Sequence, residues 1–361
     1  MPESIGLYIH IPFCAKKCRY CDFYSGCFHK KVFESYLSAL AISIKSWGGK
    51  ARRTVDTVYI GGGTPSLLGS EIIPVMLAVK ESFNVTPDAE ITVECNPNLD
   101  YRFFEAAMSA GVNRLSFGVQ AGDDGRLKTL GRTHTVADAE KAVRTARDIG
   151  FDNISCDLMI ALPDSNAGTL TEDIDFICSL SPEHVSAYIL KIEEKTSFFK
   201  LQKSLKLPDE DEAANQYLLT CEEFEKRGFE HYEISNFAKP GRESRHNLKY
   251  WRCEEYLGLG PSAHSFLGGR RFYYPRDTKA FMNGCLPVPD GTGGDREEKI
   301  MLGLRLSEGV SLSDFGFDVA AKTERLQSAG LVRVSGDRLS LTDKGMLVSN
   351  SIITELLYEN V

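Results

Sequence analysis

The sequence has no stretch that approaches the roughly 20 apolar residues of a membrane-spanning helix. Its amino terminus lacks a basic segment followed by an apolar run, so no secretory leader is expected. It also lacks a surplus of positive charge, because 42 Lys and Arg stand against 50 Asp and Glu, a formal charge of −8. We therefore expect a cytoplasmic protein and, from the charge of its tail described below, no nucleic-acid partner.

Cysteine is sparse as well, with 10 in 361 residues, too few for a disulfide-stapled secreted scaffold. With 42% hydrophobic and 25% charged residues, the composition is that of a globular protein long enough for more than one domain. Three of the ten cysteines nevertheless fall within one short segment, at Cys14, Cys18 and Cys21. Such local crowding in a reducing compartment points to metal or redox chemistry.

Short β-branched or aromatic runs alternate with longer amphipathic stretches between residues 5 and 190. This pattern predicts strands over 5–11, 55–60, 90–95, 113–118, 153–159 and 184–190, with helices around 33–45, 70–82, 101–109, 136–148 and 169–178. Successive βα units build a parallel sheet. Because no Gly-x-Gly-x-x-Gly follows the first strand, we predict an α/β fold with an incomplete (β/α)6 TIM-like barrel and not a doubly wound dinucleotide-binding sheet.

The regular alternation of predicted strands and helices ends after residue 190. We expect a helix over 211–227, a strand over 230–235, an irregular stretch rich in Arg, Tyr and Gly, and a linker from about Gly291. Helices over 296–306 and 318–329, a hairpin of strands 331–334 and 338–341, and a closing helix then predict a winged-helix-like tail. The domains are thus a barrel over 1–228, an α+β extension over 229–290 and the tail over 291–361.

The charge of the tail decides whether we expect its winged helix to bind DNA or to have a structural or docking role. Residues 295–361 carry 8 basic and 11 acidic side chains. This balance is the opposite of the basic face that binds duplex DNA. We therefore favour a structural or docking role for the tail.

Cys14, Cys18 and Cys21 form a Cys-x-x-x-Cys-x-x-Cys loop directly after the first predicted strand. Three thiolates on one tight loop can hold three irons of a 4Fe-4S cluster and leave the fourth iron open to a ligand. Zinc is the alternative, but a structural zinc needs a fourth ligand, and the nearest candidates, Cys27 and His29, lie awkwardly within the same loop. We favour the cluster.

Glycine and polar residues stand at the ends of the next predicted strands. The run Gly-Gly-Gly-Thr-Pro at 61–65 follows the second strand, Glu94 the third and Gln120 the fourth, and Asp157 lies in the fifth. Each polar residue alone has a plainer explanation, which is hydrogen bonding to loop backbone groups. Since the carboxyl ends of β/α-barrel strands open on one face, we expect all of these residues to converge there with the Cys loop.

These motifs together resemble the radical S-adenosylmethionine superfamily, and within it the branch of oxygen-independent coproporphyrinogen III oxidases and HemW-type haem chaperones. The resemblance rests on Tyr-Ile-His-Ile-Pro-Phe-Cys at 8–14 through Asp-Phe at 22–23, on Gly-Gly-Gly-Thr-Pro, on Gly-Val-Gln at 118–120, on Leu-Gly-Arg at 130–132 and on the tail. It implies that the open iron binds the methionine part of S-adenosylmethionine. It also implies a cofactor pocket formed by Tyr8, Tyr20, Gly62, Gly63, Thr64, Glu94, Gln120, Arg132, Asp157 and His264.

The same resemblance leaves two functions open. In the oxidase, electron transfer from the cluster yields a 5′-deoxyadenosyl radical that abstracts hydrogen from a porphyrinogen propionate, whereas the chaperones hold haem and pass it to haem-requiring proteins. Two departures weaken the oxidase interpretation. Phe23 stands where the oxidase pattern has a fourth Cys, and the N-terminal extension of the oxidase is not expected here. We favour the haem chaperone, keep the oxidase as the alternative and assign no catalytic residue.

The segment 246–251, His-Asn-Leu-Lys-Tyr-Trp, resembles the His-Asn-x-x-Tyr-Trp signature of the chaperones. An imidazole can ligate haem iron, and aromatic rings can flank the macrocycle, so the resemblance implies a haem site formed by His246, Asn247, Tyr250 and Trp251. A loop that is only capped and packed is the plainer alternative. Residues 240–280 hold 8 basic against 4 acidic side chains, a charge that suits propionates.

The partners expected from this interpretation are haem, haem-accepting proteins and an electron donor for the cluster. If the acceptors are membrane respiratory haemoproteins, we expect peripheral contact with the membrane. The sequence contains no amphipathic anchor that would predict such contact directly.

Overall fold

The computed structural model describes residues 4–51 and 53–358. Its strands are β1 (Ile5–Ile11), β2 (Phe13–Cys14), β3 (Gly26–Cys27), β4 (Thr54–Gly62), β5 (Asn84–Cys95), β6 (Arg114–Gln120), β7 (Ile154–Ile160), β8 (His184–Ile189), β9 (Glu230–Glu233), β10 (Asn236–Ala238), β11 (Tyr256–Leu259), β12 (His264–Leu267), β13 (Arg270–Tyr273), β14 (Val288–Thr292), β15 (Val310–Ser311), β16 (Val332–Ser335) and β17 (Arg338–Leu341). Its α-helices are α1 (Lys30–Ala51), α2 (Ile72–Ser82), α3 (Arg102–Ala110), α4 (Asp124–Leu130), α5 (Val136–Ile149), α6 (Ala167–Ser179), α7 (Ser197–Leu201), α8 (Glu210–Lys226), α9 (Arg245–Trp251), α10 (Thr278–Met282), α11 (Arg296–Gly303), α12 (Ala320–Ser328), α13 (Asp343–Leu347) and α14 (Ser349–Leu357). Short 3₁₀ turns cover Pro65–Glu71, Gln202–Ser204 and Leu312–Phe315.

Six parallel strands, in the order β1-β4-β5-β6-β7-β8, form the centre of a 12-stranded sheet. A helix lies in each connection between successive strands of this group. At one side β11 pairs with β1 in parallel and leads to antiparallel β12, β13 and β14, while at the other side β10 and β9 follow β8. The described strands do not close into a ring, so the predicted incomplete (β/α)6 arrangement is confirmed.

The six central strands alternate between an apolar face and a polar face, as the two-residue period of a strand allows. On β1, Ile5, Leu7 and Ile9 are buried in the hydrophobic core with side chains from the surrounding helices. The intervening positions carry Tyr8 and His10. The corresponding positions on the other strands are Thr57, Tyr59, Glu90, Thr92, Glu94, Arg114, Ser116, Ser155, Asp157, His184 and Ser186. The concave space that these polar side chains line is called the lumen below.

Each helix is defined locally as well as by packing. α1 buries Phe33, Tyr36, Leu40 and Ile44, whose spacing of three to four residues forms one apolar stripe against the sheet. α5 begins with a capping box of Thr135 and Asp138 and ends at a left-handed glycine, the residue type that tolerates that backbone conformation best. The helical layer therefore shields the apolar face and leaves the lumen polar.

The irregular stretch expected after residue 235 is wrong, because the structure contains β10–β14 and the short helices α9 and α10 there. These elements are three to seven residues long, too short to show a clear period. The linker expected from Gly291 begins inside β14, an exposed strand that pairs with β13. The short helices α4 and α7 were also not expected from the sequence.

The tail contains α11, α12 and a sheet in the order β15-β17-β16, followed by α13 and α14. Its hairpin and helices follow the predicted order within a few residues. Leu306 forms a β-bridge with Glu233, and the Ser307 amide donates to the Tyr232 carbonyl at 3.0 Å, which joins the tail to the large sheet. None of the described helices combines the length and the apolar character needed to span a bilayer.

The packing of the central strands predicts how stability responds to core truncation. Leu115 on β6 is 0% exposed and Leu286 is 79% exposed. We expect Leu115→Ala to lower the free energy of unfolding by about 2–5 kcal/mol, through lost burial and the cavity left behind, and Leu286→Ala to change it by less than about 0.5 kcal/mol. Urea unfolding followed by circular dichroism measures both. Equal effects of the two substitutions would contradict the core assignment.

Candidate cofactor site

A cavity of about 540 Å³ opens at the carboxyl ends of the central strands. It is enclosed by the loop after β1 and by the ends of β4 to β8. The predicted residues that line it are Cys14, Cys18, Cys21, Tyr20, Gly62, Gly63, Thr64, Glu94, Gln120, Arg132 and Asp157. The structure therefore brings together the cysteine motif, the glycine run and the polar strand ends, as the barrel geometry required.

Two of the predicted pocket residues lie elsewhere. Tyr8 lines a smaller adjoining cavity of about 270 Å³ together with His10, Gly62 and Glu94. His264 begins β12, is exposed, and stacks on Tyr273 with ring centroids 5.2 Å apart. It lines neither cavity, so the structure does not bring His264 to the pocket.

The cysteine loop is held at both ends by parallel pairing of β2 with β3. Within it the Cys21 amide donates to the Cys18 carbonyl at 3.4 Å, and Arg132 Nη1 donates to Cys18 Sγ at 3.5 Å. Cys27 and His29, the alternative zinc ligands, are exposed and lie outside the cavity lining. Three free thiols that face one cavity fit a 4Fe-4S cluster with one open iron, since thiolate is the ligand that such clusters require.

The glycine run packs directly against the start of the cysteine loop. The Gly63 and Thr64 amides each donate to a carbonyl at 2.8 Å, those of Ile11 and Phe13 respectively. A Cβ added to Gly63 would lie 2.6 Å from the Phe13 carbonyl oxygen. Gly62 has φ +115°, and a Cβ there would lie 2.6 Å from the His10 ring, so both positions require glycine.

Two carboxylates form the inner wall of the cavity. Glu94 accepts hydrogen bonds from the Gly62 amide and the Tyr59 hydroxyl, both at 3.0 Å. Burial, together with the nearby charge of Asp157, raises the pKa of Glu94 to about 7. Burial likewise raises the pKa of Asp157, to about 6, against a hydrogen bond from Ser116. Carboxylates withdrawn from water favour a ligand that carries positive charge.

Arg132 and Gln120 also line the cavity. Arg132 Nη2 donates to Asn96 Oδ1 at 2.7 Å and to the Gly118 carbonyl at 2.6 Å, which fixes the guanidinium next to the cysteine loop. Gln120 has φ +77°, and its buried Oε1 has no protein hydrogen-bond partner in the described chain. A strained backbone and an orphaned polar atom in one residue are typical of a ligand-binding position.

Sequence reasoning missed several residues of this cavity, among them Tyr59, Asn96, Ser116 and Tyr188. Asn96 could have been found from the sequence, because it is a polar residue directly after β5, two residues beyond Glu94. Tyr59 and Ser116 alternate with buried apolar residues on β4 and β6, so the polar positions of each strand already indicated a polar lumen.

The segment that resembles a haem motif lies at the other end of the central strands, in α9. The Glu90 carboxylate accepts from the backbone amides of Arg245 at 3.1 Å and His246 at 3.0 Å, and Lys249 pairs with Asp56 at 3.0 Å. Glu90 and Asp56 precede the cavity residues of their own strands. α9 therefore caps the amino end of the lumen, opposite to the cysteine loop.

His246 points into the lumen and is 1% exposed. Its Nδ1 shares a hydrogen bond with Thr57 Oγ1 and its Nε2 one with the Tyr250 hydroxyl, both 2.8 Å long. Burial, followed by the charges of Lys249 and Arg114, lowers the pKa of His246 to about 3, so the imidazole is neutral.

The other motif residues are less enclosed than His246. Asn247, Tyr250 and Trp251 are half-buried, and the Arg305 guanidinium lies 5.7 Å from the centre of the Trp251 ring. The structure thus gathers the four motif residues on one helix, with Asn247, Tyr250 and Trp251 nearer to solvent.

Comparison with known proteins identifies the relatives of this chain. Residues 8–177 match the radical SAM superfamily, and residues 295–348 match the HemN C-terminal domain. The heme chaperone HemW of Bacillus subtilis is 36% identical over 98% of this chain and 99% of its own length. HemW of Mycobacterium tuberculosis H37Rv is 35% identical over 98% of this chain and 95% of its own, and HemW of Escherichia coli K12 is 37% identical over 78% and 76%.

One solved structure has the same fold over nearly the whole chain. Coproporphyrinogen III oxidase (HemN) from Escherichia coli superposes with a TM-score of 0.83, covering 98% of this chain and 90% of that one at 23% identity. At this identity the likeness establishes the architecture and leaves the activity to the site residues.

The close approach of Gly63 to the cysteine loop predicts the effect of one added methyl group. We expect Gly63→Ala to displace the Phe13–Cys14 segment, to lower the free energy of unfolding by about 1–3 kcal/mol and to reduce the iron and sulfide bound after anaerobic reconstitution. Gly26→Ala is the matched control, because its Cβ would meet nothing within 4 Å. Normal iron content in Gly63→Ala would contradict the proposed role of the glycine run.

Proposed function

Because the chain belongs to the HemW family of the radical SAM superfamily, we propose that it binds haem and transfers it to haem-requiring proteins. The observation that carries this proposal is the near full-length identity of 36% to a curated heme chaperone. The haem-motif segment on α9 supports it, as does Phe23, which stands where the oxidase pattern has a fourth Cys. Phe23 is 67% exposed and lines the mouth of the cavity.

The cofactors of the family are a 4Fe-4S cluster and S-adenosylmethionine. We assign Cys14, Cys18 and Cys21 as the cluster ligands. The bound cluster supplies an open iron for the methionine amino and carboxylate groups and one electron for the sulfonium. Arg132, fixed by Asn96, suits a carboxylate.

The residues that line the cavity would hold S-adenosylmethionine. Glu94 and Asp157 would suit the positive charges of the cofactor or its ribose hydroxyls, and Gln120 offers an unpaired amide oxygen. Because Gly62 and Gly63 have no side chain, the backbone of Gly62, Gly63 and Thr64 could approach the cofactor closely.

For haem we assign the α9 residues His246, Asn247, Tyr250 and Trp251. Asn247 and Trp251 can contact a macrocycle with little rearrangement because they are nearer to solvent. Coordination of haem iron by His246 requires that its hydrogen bond to Thr57 or Tyr250 breaks. The function also requires haem-accepting proteins, for which we propose membrane respiratory haemoproteins met at the membrane surface, and an electron donor for the cluster.

Coproporphyrinogen oxidation is the second candidate, favoured by the fold shared with the Escherichia coli oxidase. One experiment separates the two functions: anaerobically reconstituted protein receives S-adenosylmethionine, reductant and coproporphyrinogen III, and a parallel sample receives haem. We expect stoichiometric haem uptake, delivery to an apo-haemoprotein and no protoporphyrinogen IX. Multiple turnovers to protoporphyrinogen IX would establish the oxidase instead.

The raised pKa of Glu94 predicts that S-adenosylmethionine binding depends on pH. An acid with a raised pKa is neutral below that value, so the pocket loses its attraction for a cation as the pH falls through about 7. If only the ionised form binds, affinity at pH 6 is about tenfold lower than at pH 8. Equilibrium dialysis of the cluster-loaded protein measures this, and Glu94→Gln should remove the step near pH 7. A flat wild-type profile would refute the assignment of Glu94.

Assignment of His246 as an axial ligand predicts a spectroscopic change. We expect His246→Ala to bind haem more weakly and to shift its Soret band, because the iron loses a nitrogen ligand. Haem titration followed by visible absorbance measures both quantities. Unaltered affinity together with an unaltered Soret band would remove His246 from the haem site.

A further inference from the structure

The haem motif and the cofactor pocket are joined by a chain of contacts through the lumen. The ring of His246 stacks on the ring of Tyr59, with centroids 5.3 Å apart and planes inclined by 29°. The Tyr59 hydroxyl donates to Glu94 Oε1 at 3.0 Å. Glu94 Oε2 accepts from the amide of Gly62, the second glycine of the run that packs against the cysteine loop. Each link is a direct contact between buried or half-buried groups.

The spacing of residues on β4 explains how α9, at the amino end of the lumen, is connected to the pocket at the carboxyl end. Thr57, which bonds His246, and Gly62, which bonds Glu94, lie five residues apart on β4, about 16 Å at the rise of a strand. Tyr59 lies between them and points to the same side as Thr57. Its ring spans the distance from α9 to the wall of the cofactor pocket.

His246 has little freedom to leave this position in the described conformation. Thr57 and Tyr250 hold its two ring nitrogens. On the β1 side its ring packs against Gly6, where an added Cβ would approach His246 Cε1 to 3.0 Å. Glu90 binds the first amides of α9, including that of His246 itself. The imidazole is therefore a fixed support for Tyr59.

We propose that His246 is a positioning residue for the S-adenosylmethionine pocket, acting through Tyr59 on Glu94. This proposal rests on the cofactor pocket assigned above. It assigns His246 a role in the haem-free protein, where the imidazole supports the pocket from the opposite end of the lumen. Haem that draws His246 away from Tyr59 weakens S-adenosylmethionine binding, and by linkage the cofactor weakens haem binding by the same factor.

Affinity measurements on variants test the chain of contacts. Cluster-loaded protein is dialysed against labelled S-adenosylmethionine as wild type, His246→Ala, Tyr59→Phe and the double variant. We expect each single change to weaken binding about two- to tenfold, the scale of one aromatic contact. The double variant should bind S-adenosylmethionine no more weakly than the single variant with the lower affinity, since both changes break the same connection.

Two further variants keep the test decisive. Arg252→Gln is the matched control, because Arg252 follows α9 and forms an exposed ion pair with Glu308; it should bind S-adenosylmethionine as wild type does. If His246→Ala does not fold, Thr57→Val takes its place, because it removes the hydrogen bond to His246 Nδ1 without removing the ring.

The pH profile separates positioning from a general loss of structure. The titratable groups that interact electrostatically with Glu94 are Tyr8, Tyr59, Asp157, Tyr188 and Tyr250, together with its strand neighbour Cys95 in the core. Among them, the Tyr59 hydrogen bond lowers the pKa of Glu94. Its loss in Tyr59→Phe, and its weakening in His246→Ala, should move the midpoint of the binding profile to higher pH. A loss of affinity that is equal at every pH would overturn the proposal.

The remaining outcomes distinguish the proposed coupling between His246 and the S-adenosylmethionine pocket from the proposed binding of haem. Wild-type affinity in Tyr59→Phe, or additive losses in the double variant, overturn the role of His246 through Tyr59. Wild-type protein that takes up no haem while His246→Ala and Tyr59→Phe behave as expected refutes haem binding and supports the coupling. Wild-type protein that binds no S-adenosylmethionine overturns both the pocket and the coupling.

Discussion

A polar lumen inside a half-barrel is the constraint on which the rest of this structure depends. The interiors of β/α barrels are usually packed with branched apolar side chains, whereas here buried hydroxyls, carboxylates and an arginine face one another. A buried polar group without a partner costs about 1–3 kcal/mol, so each of these groups must be paired with protein, water or ligand. The Thr92 hydroxyl and the Arg114 Nε remain without a protein partner, which leaves places for ordered water.

The two ends of the lumen meet this constraint differently. At the amino end α9 inserts an imidazole that bonds Thr57 and Tyr250, although Arg114 Nε at the start of β6 keeps no protein partner. At the carboxyl end the strands diverge into loops, and Gln120 keeps an unpaired oxygen beside two carboxylates of raised pKa. Groups that are incompletely satisfied by protein are the ones that a bound cofactor can satisfy. The asymmetry explains why one end is a plug and the other a binding site.

Much of this could be predicted from the sequence, and the rest depends on tertiary contacts. β1 matches its prediction to the residue because its apolar positions alternate without interruption. β5 begins six residues before its predicted start, at Asn84, because Thr-Pro-Asp at 86–88 has the composition of a turn. The glycine run, Glu94, Gln120 and Asp157 were predicted from the rule that parallel strands end on one face, whereas Tyr20 and Arg132 came from the family resemblance. No such rule tells where the seven-residue helix α9 packs, so the burial of His246 in the lumen could not be foreseen.

The fold shared with the Escherichia coli oxidase does not by itself fix the activity, because chemistry depends on the residues placed on a fold. In this chain the strand ends carry the cysteine loop and the glycine run, which backbone hydrogen bonds hold together. Phe23 is exposed on a loop. α9 is attached through the Glu90 carboxylate, the ion pair of Lys249 with Asp56 and the hydrogen bond of His246 to Thr57. Neither Phe23 nor His246 belongs to the hydrophobic core. The same sheet and core can therefore carry different side chains at the mouth of the cavity and at α9, and the chemistry follows those side chains.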